Sequence, residues 1–384
     1  MVASMTNTPM DEVLAAAVER GDVPGVVAIV VNREGVLYEG AFGKARAAED
    51  VPMGIDSIFR IASMTKALTS AAAVQLVEQG RLSLDAPASA VLPELAGLEL
   101  LTQSGDLRPA AKPVTLRQLL THTSGFAYPF TSAALAAHLA TKGITGPGGG
   151  DIRTPLLFEP GTRWQYGVST DWAGRMVEAA SGQTLDAYMR DNLFAPLGMP
   201  DTGFSVPPAD GARLTSTHNR GEDGSLAEQP VTVPGPPPVF SGGGGLTSTA
   251  RDYARFLRLI LNGGELDGVR VLGPQAMEGL LRNQIGDSVA GRWETGAPAF
   301  SHDTDFSMGG TAGHSLGFVV SSVDSPTGRA AGSLCWAGIF NTYYWIDPAR
   351  GLAGATFTQI LPFCDPKSLG VLDSFERAVY STFA

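Results

Sequence analysis

The pattern of apolar and polar positions divides the chain into a strand-rich start, a long helical middle and a strand-rich end. Residues 11–20 repeat apolar positions at helical spacing. Residues 26–31 are a continuous apolar run of β type, 32–35 a turn and 36–43 a second strand, which together predict a hairpin. Residues 57–62 are extended and lead directly into Ser63. The following run, 67–80, is dominated by alanine and leucine and contains no proline, so it predicts a buried helix closed by Gly80.

From about residue 81 to 290 the pattern is mainly helical, interrupted by Gly/Pro-rich loops at 146–150 and 231–245. An amphipathic helix opens at 246–253 and carries Phe256, Leu257 and Ile260 on its apolar face. After residue 310 the segments 316–323, 332–340, 342–347 and 352–359 are β-like and separated by turn residues, and a last helix covers about 369–380. The expected fold is therefore α+β: an antiparallel sheet built from both termini and flanked by helices, plus a mainly helical domain. Residues 1–80 and 300–384 would form the discontinuous α/β domain and 81–299 the helical one, with the active site in the cleft between them.

Composition narrows the classes. A chain of 384 residues with 44% apolar and 17% charged residues holds one large or two interleaved globular domains. A net charge of −11 counts against nucleic acid or an anionic membrane as partner. No apolar run is long enough to span a bilayer, and the first ten residues lack a basic region followed by an apolar core. A cytoplasmic protein is the expectation. The two cysteines, Cys335 and Cys364, have no metal-ligand spacing and read as free buried thiols. No metal or cofactor is expected.

The chemistry begins at Ser63, Met64, Thr65 and Lys66. A spacing of three places the hydroxyl and the amine on one helical face. A serine hydroxyl attacks only when a neighbour takes its proton, and a lysine amine does so where burial and a helix dipole disfavour its charged form. The first N–H groups of a helix are free to face an oxyanion. On its own the motif is short, and a helix cap with a surface lysine reads equally well.

Other segments add to it. His122, in the run Leu119, Leu120, Thr121, His122, Thr123, Ser124, Gly125, reads as a structural ring near the site. Tyr166 follows a turn at 158–161 and precedes a helix with Asp171 near its start, so it is expected on an exposed loop with its polar tip toward a serine and a lysine. There a phenolate would form an ion pair with Lys66. Trp336, Ala337 and Gly338 put small residues in a strand, where a ligand can approach the backbone. The glycines 242–245 lack the G-K-[ST] ending of a phosphate cradle and read as a loop. Gly313, His314, Ser315, Leu316 and Gly317 match G-x-S-x-G, but the segment after Ser315 is strand-like where a nucleophile elbow needs a helix.

Taken in order, Ser63-x-x-Lys66, the L-L-x-H-T-S-G segment, Tyr166 after Trp164 and Gln165, and Trp336, Ala337, Gly338 resemble the serine β-lactamase superfamily. The nearest pattern is that of the family VIII carboxylesterases, similar in fold to class C β-lactamases and D,D-peptidases. The resemblance implies a β-lactamase/transpeptidase-like fold, Ser63 as acyl-accepting nucleophile, and Lys66 and Tyr166 sharing proton transfer. It also implies an oxyanion hole from the N–H groups of Ser63 and Ile339. Two departures stand out: Val168 occupies the place of the asparagine of Y-x-N, and Trp336 that of the lysine of K-T-G. Both remove polar groups that would hold an anionic β-lactam and favour neutral esters. Tyr128, Phe130, Trp164, Phe340 and Tyr343 are the candidates for an apolar pocket. The expected activity is hydrolysis of short-to-medium-chain esters of small molecules. Acyl transfer or weak β-lactam hydrolysis is the alternative, and a non-catalytic binding protein the third reading. The natural ester and the oligomeric state stay open.

Overall fold

The computed structural model describes residues 8–145, 151–307 and 309–384. The first predicted Gly/Pro loop, 146–150, lies outside the described residues. The elements that position the site begin with α1 (Pro9–Glu19), β1 (Gly25–Asn32), β2 (Val36–Arg46), β3 (Val51–Pro52), β4 (Phe59–Arg60) and α2 (Thr65–Glu78). They continue with α3 (Ser169–Ser181), β5 (Thr247–Ser248) and α4 (Ala250–Leu261). The C-terminal set is β6 (Gly313–His314), β7 (Val319–Val320), β8 (Leu334–Gly338), β9 (Thr342–Asp347), β10 (Leu352–Phe357) and α5 (Pro366–Phe383).

The main sheet is antiparallel with the strand order β6-β7-β8-β9-β10-β1-β2-β3, so both ends of the chain build it. The join is the β1–β10 ladder, with Val27 opposite Phe357 and Asn32 opposite Leu352. Helices cover both faces. Tyr253 of α4 meets Tyr344 of β9, whereas Phe375 of α5 meets Trp345, the next residue along. Neighbouring strand residues point to opposite faces, so α4 and α5 lie on opposite sides. That double cover is why β1 is apolar without alternation: Val26 through Val31 are all fully buried. The α+β antiparallel architecture expected from the sequence is the one present.

One strand differs from the sequence reading, and two features of the helical middle add detail to it. The segment expected as a strand over 316–323 contributes only Val319–Val320. The Ser315 hydroxyl accepts the Gly317 and Phe318 N–H groups and bends the preceding residues into a turn. Helix α4 falls inside the range 81–299, yet its apolar stripe packs on β1 and β10 of the sheet. Short two- and three-residue strands, such as Leu226–Glu228, also punctuate the helical middle.

Helix α2 sits at the centre. Every residue from Thr65 to Leu76 is buried, as in a helix surrounded by protein on all sides. It packs against α3, and Gly80, with a φ of 70°, follows its last turn. Cys335 and Cys364 are free and buried. Among the described residues no helix is long and apolar enough to cross a membrane.

Candidate active site

Ser63 stands on a 3-10 turn (Ala62–Met64) between β4 and α2. The chain reaches it through Ala62, whose φ of 43° lies in the left-handed region that costs a non-glycine residue roughly 1–2 kcal/mol. Neighbours hold that conformation. The Ile61 N–H donates to the Leu246 carbonyl at 3.1 Å, the Leu246 N–H to Thr65 Oγ1 at 3.2 Å, and the Tyr253 hydroxyl to the Met64 carbonyl at 3.1 Å. The serine is thus lifted out of line between a strand and a helix, where its hydroxyl reaches open space.

Lys66 is only 3% exposed. Its Nζ donates to Ser63 Oγ at 3.2 Å, to the Tyr128 hydroxyl at 3.0 Å and to the Gly243 carbonyl at 2.6 Å. The Tyr166 hydroxyl donates to Ser63 Oγ at 2.6 Å. The four side chains Ser63, Lys66, Tyr166 and Tyr128 therefore form one connected group. No direct hydrogen bond joins Lys66 Nζ to the Tyr166 hydroxyl. Nζ lies 4.8 Å over the Tyr166 ring, a cation–π placement, and spends its hydrogen bonds elsewhere.

Tyr166 is not on an exposed loop. It is 4% exposed and enclosed by the rings of His122, Trp164, Trp293 and Trp336. Its backbone is pinned as well: the Gln165 N–H donates to the His122 carbonyl at 2.9 Å, and Thr131 Oγ1 to the Tyr166 carbonyl at 3.0 Å. At Gly167 a Cβ would run into the Ala127 and Phe126 backbone, so only glycine fits there. His122 takes the structural place expected of it, edge-on to His314 and tilted against Tyr166. Burial, then the charges of His314 and Lys66, push it well below the usual imidazole range. Burial likewise lowers His314 to about 4, against a hydrogen bond to the Ser315 carbonyl that works the other way.

The strand carrying Trp336, Ala337 and Gly338 meets the serine turn end-on. A Cβ at Gly338 would collide with the Ile61 carbonyl and Thr342 Oγ1, so β8 and the Ser63 turn touch through bare backbone. Gly338 thus serves as a contact point, not as part of a pocket lining. Just beyond it, the Ile339 N–H has no backbone acceptor among the described residues, and Ile339 shares two cavities with Ser63.

The first cavity, about 970 Å³, is bounded by Ser63, Tyr128, Phe130, Val168, Phe240, Ile339 and Phe340, with Arg153 and Arg175 also in its wall. The second, about 10 Å³, is walled by Phe130, Tyr166, Trp293, Trp336, Ala337, Ile339 and Phe363. Of the residues expected to line a pocket, Trp164 and Tyr343 line neither cavity. Trp164 is packed behind Tyr166, and the Tyr343 hydroxyl is tied to Asn341 Oδ1 at 2.6 Å in the core. Tyr128 does line the larger cavity, but its hydroxyl belongs to the Lys66 group. Ser315 is fully buried in the β6–β7 hairpin, away from both cavities, as its strand context predicts.

Sequence reasoning missed the loop from Ser241 to Gly245. It reads as a plain connection, yet its Gly243 carbonyl holds Lys66 and its Gly242 carbonyl accepts from Thr69 Oγ1 at 2.7 Å. The signal was the glycine run itself, by the same close-approach reasoning that singled out Gly338. Trp293 and Phe363 were missed because no motif surrounds them.

An antiparallel sheet built from both chain ends, with a serine, a lysine and a tyrosine in hydrogen-bond contact beside a central helix, defines a serine enzyme that handles acyl groups. The chain belongs to the beta-lactamase family, whose model matches residues 10–368. It is 30% identical to "Monacolin J acid methylbutanoyltransferase" of Aspergillus terreus over 97% of this chain and 95% of that one. It is 31% identical to "Lovastatin esterase" of Penicillium rubens over 98% of each. Among solved structures it is similar to a mutant simvastatin synthase from Aspergillus terreus, with a TM-score of 0.83 and 26% identity over 100% of this chain and 99% of that one. The chain is thus a serine hydrolase or acyltransferase of the beta-lactamase family.

Proposed function

We propose that this protein is a serine carboxylesterase of the family VIII type, hydrolysing neutral esters with short-to-medium acyl chains through an acyl-enzyme on Ser63. The observation that carries the reading is Ser63 Oγ held between Tyr166 at 2.6 Å and Lys66 at 3.2 Å, at the junction of a wide and a narrow cavity. Lys66 in its amine form takes the Ser63 proton as Oγ attacks the ester carbonyl and a C–O bond forms. The oxyanion faces the N–H groups of Ile339 and Ser63. The intermediate collapses, the bond to the leaving oxygen breaks, and Tyr166 passes that oxygen a proton and releases the alcohol. The Lys66 ammonium then returns its proton to the Tyr166 phenolate, so that both groups are restored. Water then repeats the sequence and releases the acid.

The wide cavity, at about 970 Å³, has room for both the acyl chain and an alcohol with substantial apolar surface, whereas the narrow one holds little more than a water. Val168 and Trp336 supply no charged group for the carboxylate of a β-lactam. The test is hydrolysis of p-nitrophenyl esters with mass spectrometry of the protein after brief exposure. Ser63→Ala should abolish turnover and the acyl adduct, and Ser315→Ala should keep most of both. The opposite pattern removes the proposal. A second reading, transfer of the acyl group to an alcohol, is favoured by the size of the wide cavity and by the transferase name of one relative. Product analysis with an added alcohol separates the two.

A further inference from the structure

We infer that Asp171 and Tyr128 form a positioning unit that sets the orientation of the Lys66 amine, an inference that rests on the acyl-enzyme reading above. Asp171 is a carboxylate only 8% exposed, and among the described residues no lysine, arginine or histidine forms an ion pair with it. A buried charge without a direct partner is costly unless several hydrogen bonds hold it. Here Asp171 Oδ1 accepts from the Ser241 hydroxyl at 2.6 Å and from the Gly243 N–H at 3.0 Å. Its other oxygen lies where Gly243 and Tyr128 converge: a Cβ on Gly243 would collide with Asp171 Oδ2 and come within 2.9 Å of the Tyr128 hydroxyl. Burial and then the charge of Asp171 hold the Tyr128 phenol in its protonated form.

The two groups that Asp171 fixes are the two that hold Lys66. The Gly243 peptide gives its N–H to Asp171 and its carbonyl to Lys66 Nζ, and the Tyr128 oxygen accepts from Nζ. An amine that has lost a proton keeps two N–H groups and one lone pair in a tetrahedral arrangement. With the two N–H groups committed to the Gly243 carbonyl and the Tyr128 oxygen, the remaining direction is the one toward Ser63 Oγ. Asp171 never touches the reacting atoms. It acts by keeping both acceptors in place, so that the lone pair faces the hydroxyl it must deprotonate.

Asp171→Asn retains an oxygen for Ser241 and Gly243 but offers Tyr128 a donor in place of an acceptor, leaving the phenol proton unplaced. Tyr128→Phe removes one acceptor of Lys66 together with the hydroxyl that faces Asp171. Each should lower kcat for p-nitrophenyl acetate about 10- to 100-fold, slow fluorophosphonate labelling of Ser63 by a similar factor, and leave KM within threefold. Because the two act through one amine, the double variant should lose no more than about twofold beyond the worse single. Both singles within threefold of the parent, or losses that multiply in the double, would overturn the inference while Ser63→Ala is inactive. An active Ser63→Ala would instead strike the acyl-enzyme reading. If Asp171→Asn does not fold, as judged by thermal melting, Tyr128→Phe decides alone, since it removes a single oxygen.

Discussion

The contact between Gly338 and the serine turn makes a sharp prediction. In Gly338→Ala the new Cβ meets the Ile61 carbonyl, a backbone atom that cannot rotate away, and the Thr342 hydroxyl, which can. Ordinary contact requires the end of β8 and the turn to part by about 1 Å. Overpacking of this kind costs roughly 1–3 kcal/mol. A chain of 384 residues unfolds with an entropy of about 0.8 kcal/mol/K, at about 2.1 cal/mol/K per residue, so Tm should fall by about 1–4 °C. The activity should suffer far more. The same displacement carries the Ile339 N–H away from the serine, and a misplacement of about 1 Å costs on the order of 10²-fold. The assay is kcat/KM for a p-nitrophenyl ester beside a thermal melt. Gly370→Ala, where a Cβ meets nothing within 4 Å, serves as the control and should change neither quantity adversely. If Gly338→Ala keeps kcat/KM within threefold while Tm drops as calculated, the strand end does not position the oxyanion donor and the argument fails.

Two further outcomes follow from the same geometry. Tyr166→Phe deletes the 2.6 Å hydrogen bond to Ser63 and should lower kcat by about 10²–10⁴-fold with little change in KM; a loss under tenfold would take proton transfer away from Tyr166. Acid should destabilise the fold through His314, whose imidazole is held near 4 by burial against an unfolded value near 6.5. The unfolded chain binds the extra proton first, so this stability is intact above about pH 6.5 and is lost as pH falls toward 4, up to about 3 kcal/mol. Asp252, raised by burial to about 6, works in the opposite sense, so the measurement is the difference in Tm–pH slope between parent and His314→Asn. Parallel slopes over pH 4 to 6.5 would refute it.

How much of this was legible in the sequence depended on range. The β1–β2 hairpin, α2 and strands β9 and β10 are local patterns of apolar spacing and turns, and the chain states them directly. Ser63 and Lys66 are one helical turn apart, so local geometry alone brings them together. The exposure of Tyr166 was misread because nothing near it in sequence announces the wall of Trp293, Trp336 and His122 that the fold delivers. The Tyr128 hydroxyl was placed in an apolar pocket for the same reason: its partners, Lys66 and Asp171, lie 62 and 43 positions away. The residues 241–245 were visible as glycines but not as a site, since close approach is a property of pairs of backbones. Gly338 was noticed because it stands in a strand, where a missing side chain is conspicuous. Gly243 was not, because a glycine in a loop is ordinary.

If the proposed acyl-enzyme on Ser63 forms, the choice between water and an alcohol as final acceptor comes after it, and the groups around Ser63 do not discriminate. On the mechanism proposed above, Lys66 and Tyr166 would move a proton from either acceptor, and the Ile339 N–H would meet the same oxyanion in both cases. Water competes at about 55 M, but an alcohol seated in the right geometry attains an effective molarity orders of magnitude higher. The outcome therefore turns on how long an alcohol stays in the wide cavity once its ester bond has broken. That residence depends on apolar surface buried against Phe130, Val168, Phe240 and Phe340, at about 25 cal/mol per Å². A small alcohol buries little, leaves, and yields to water; a bulky one remains and takes the acyl group back or receives it from another donor. Hydrolysis and transfer are then two regimes of one catalytic group, and the residues that separate them stand on the cavity wall, away from Ser63, Lys66 and Tyr166.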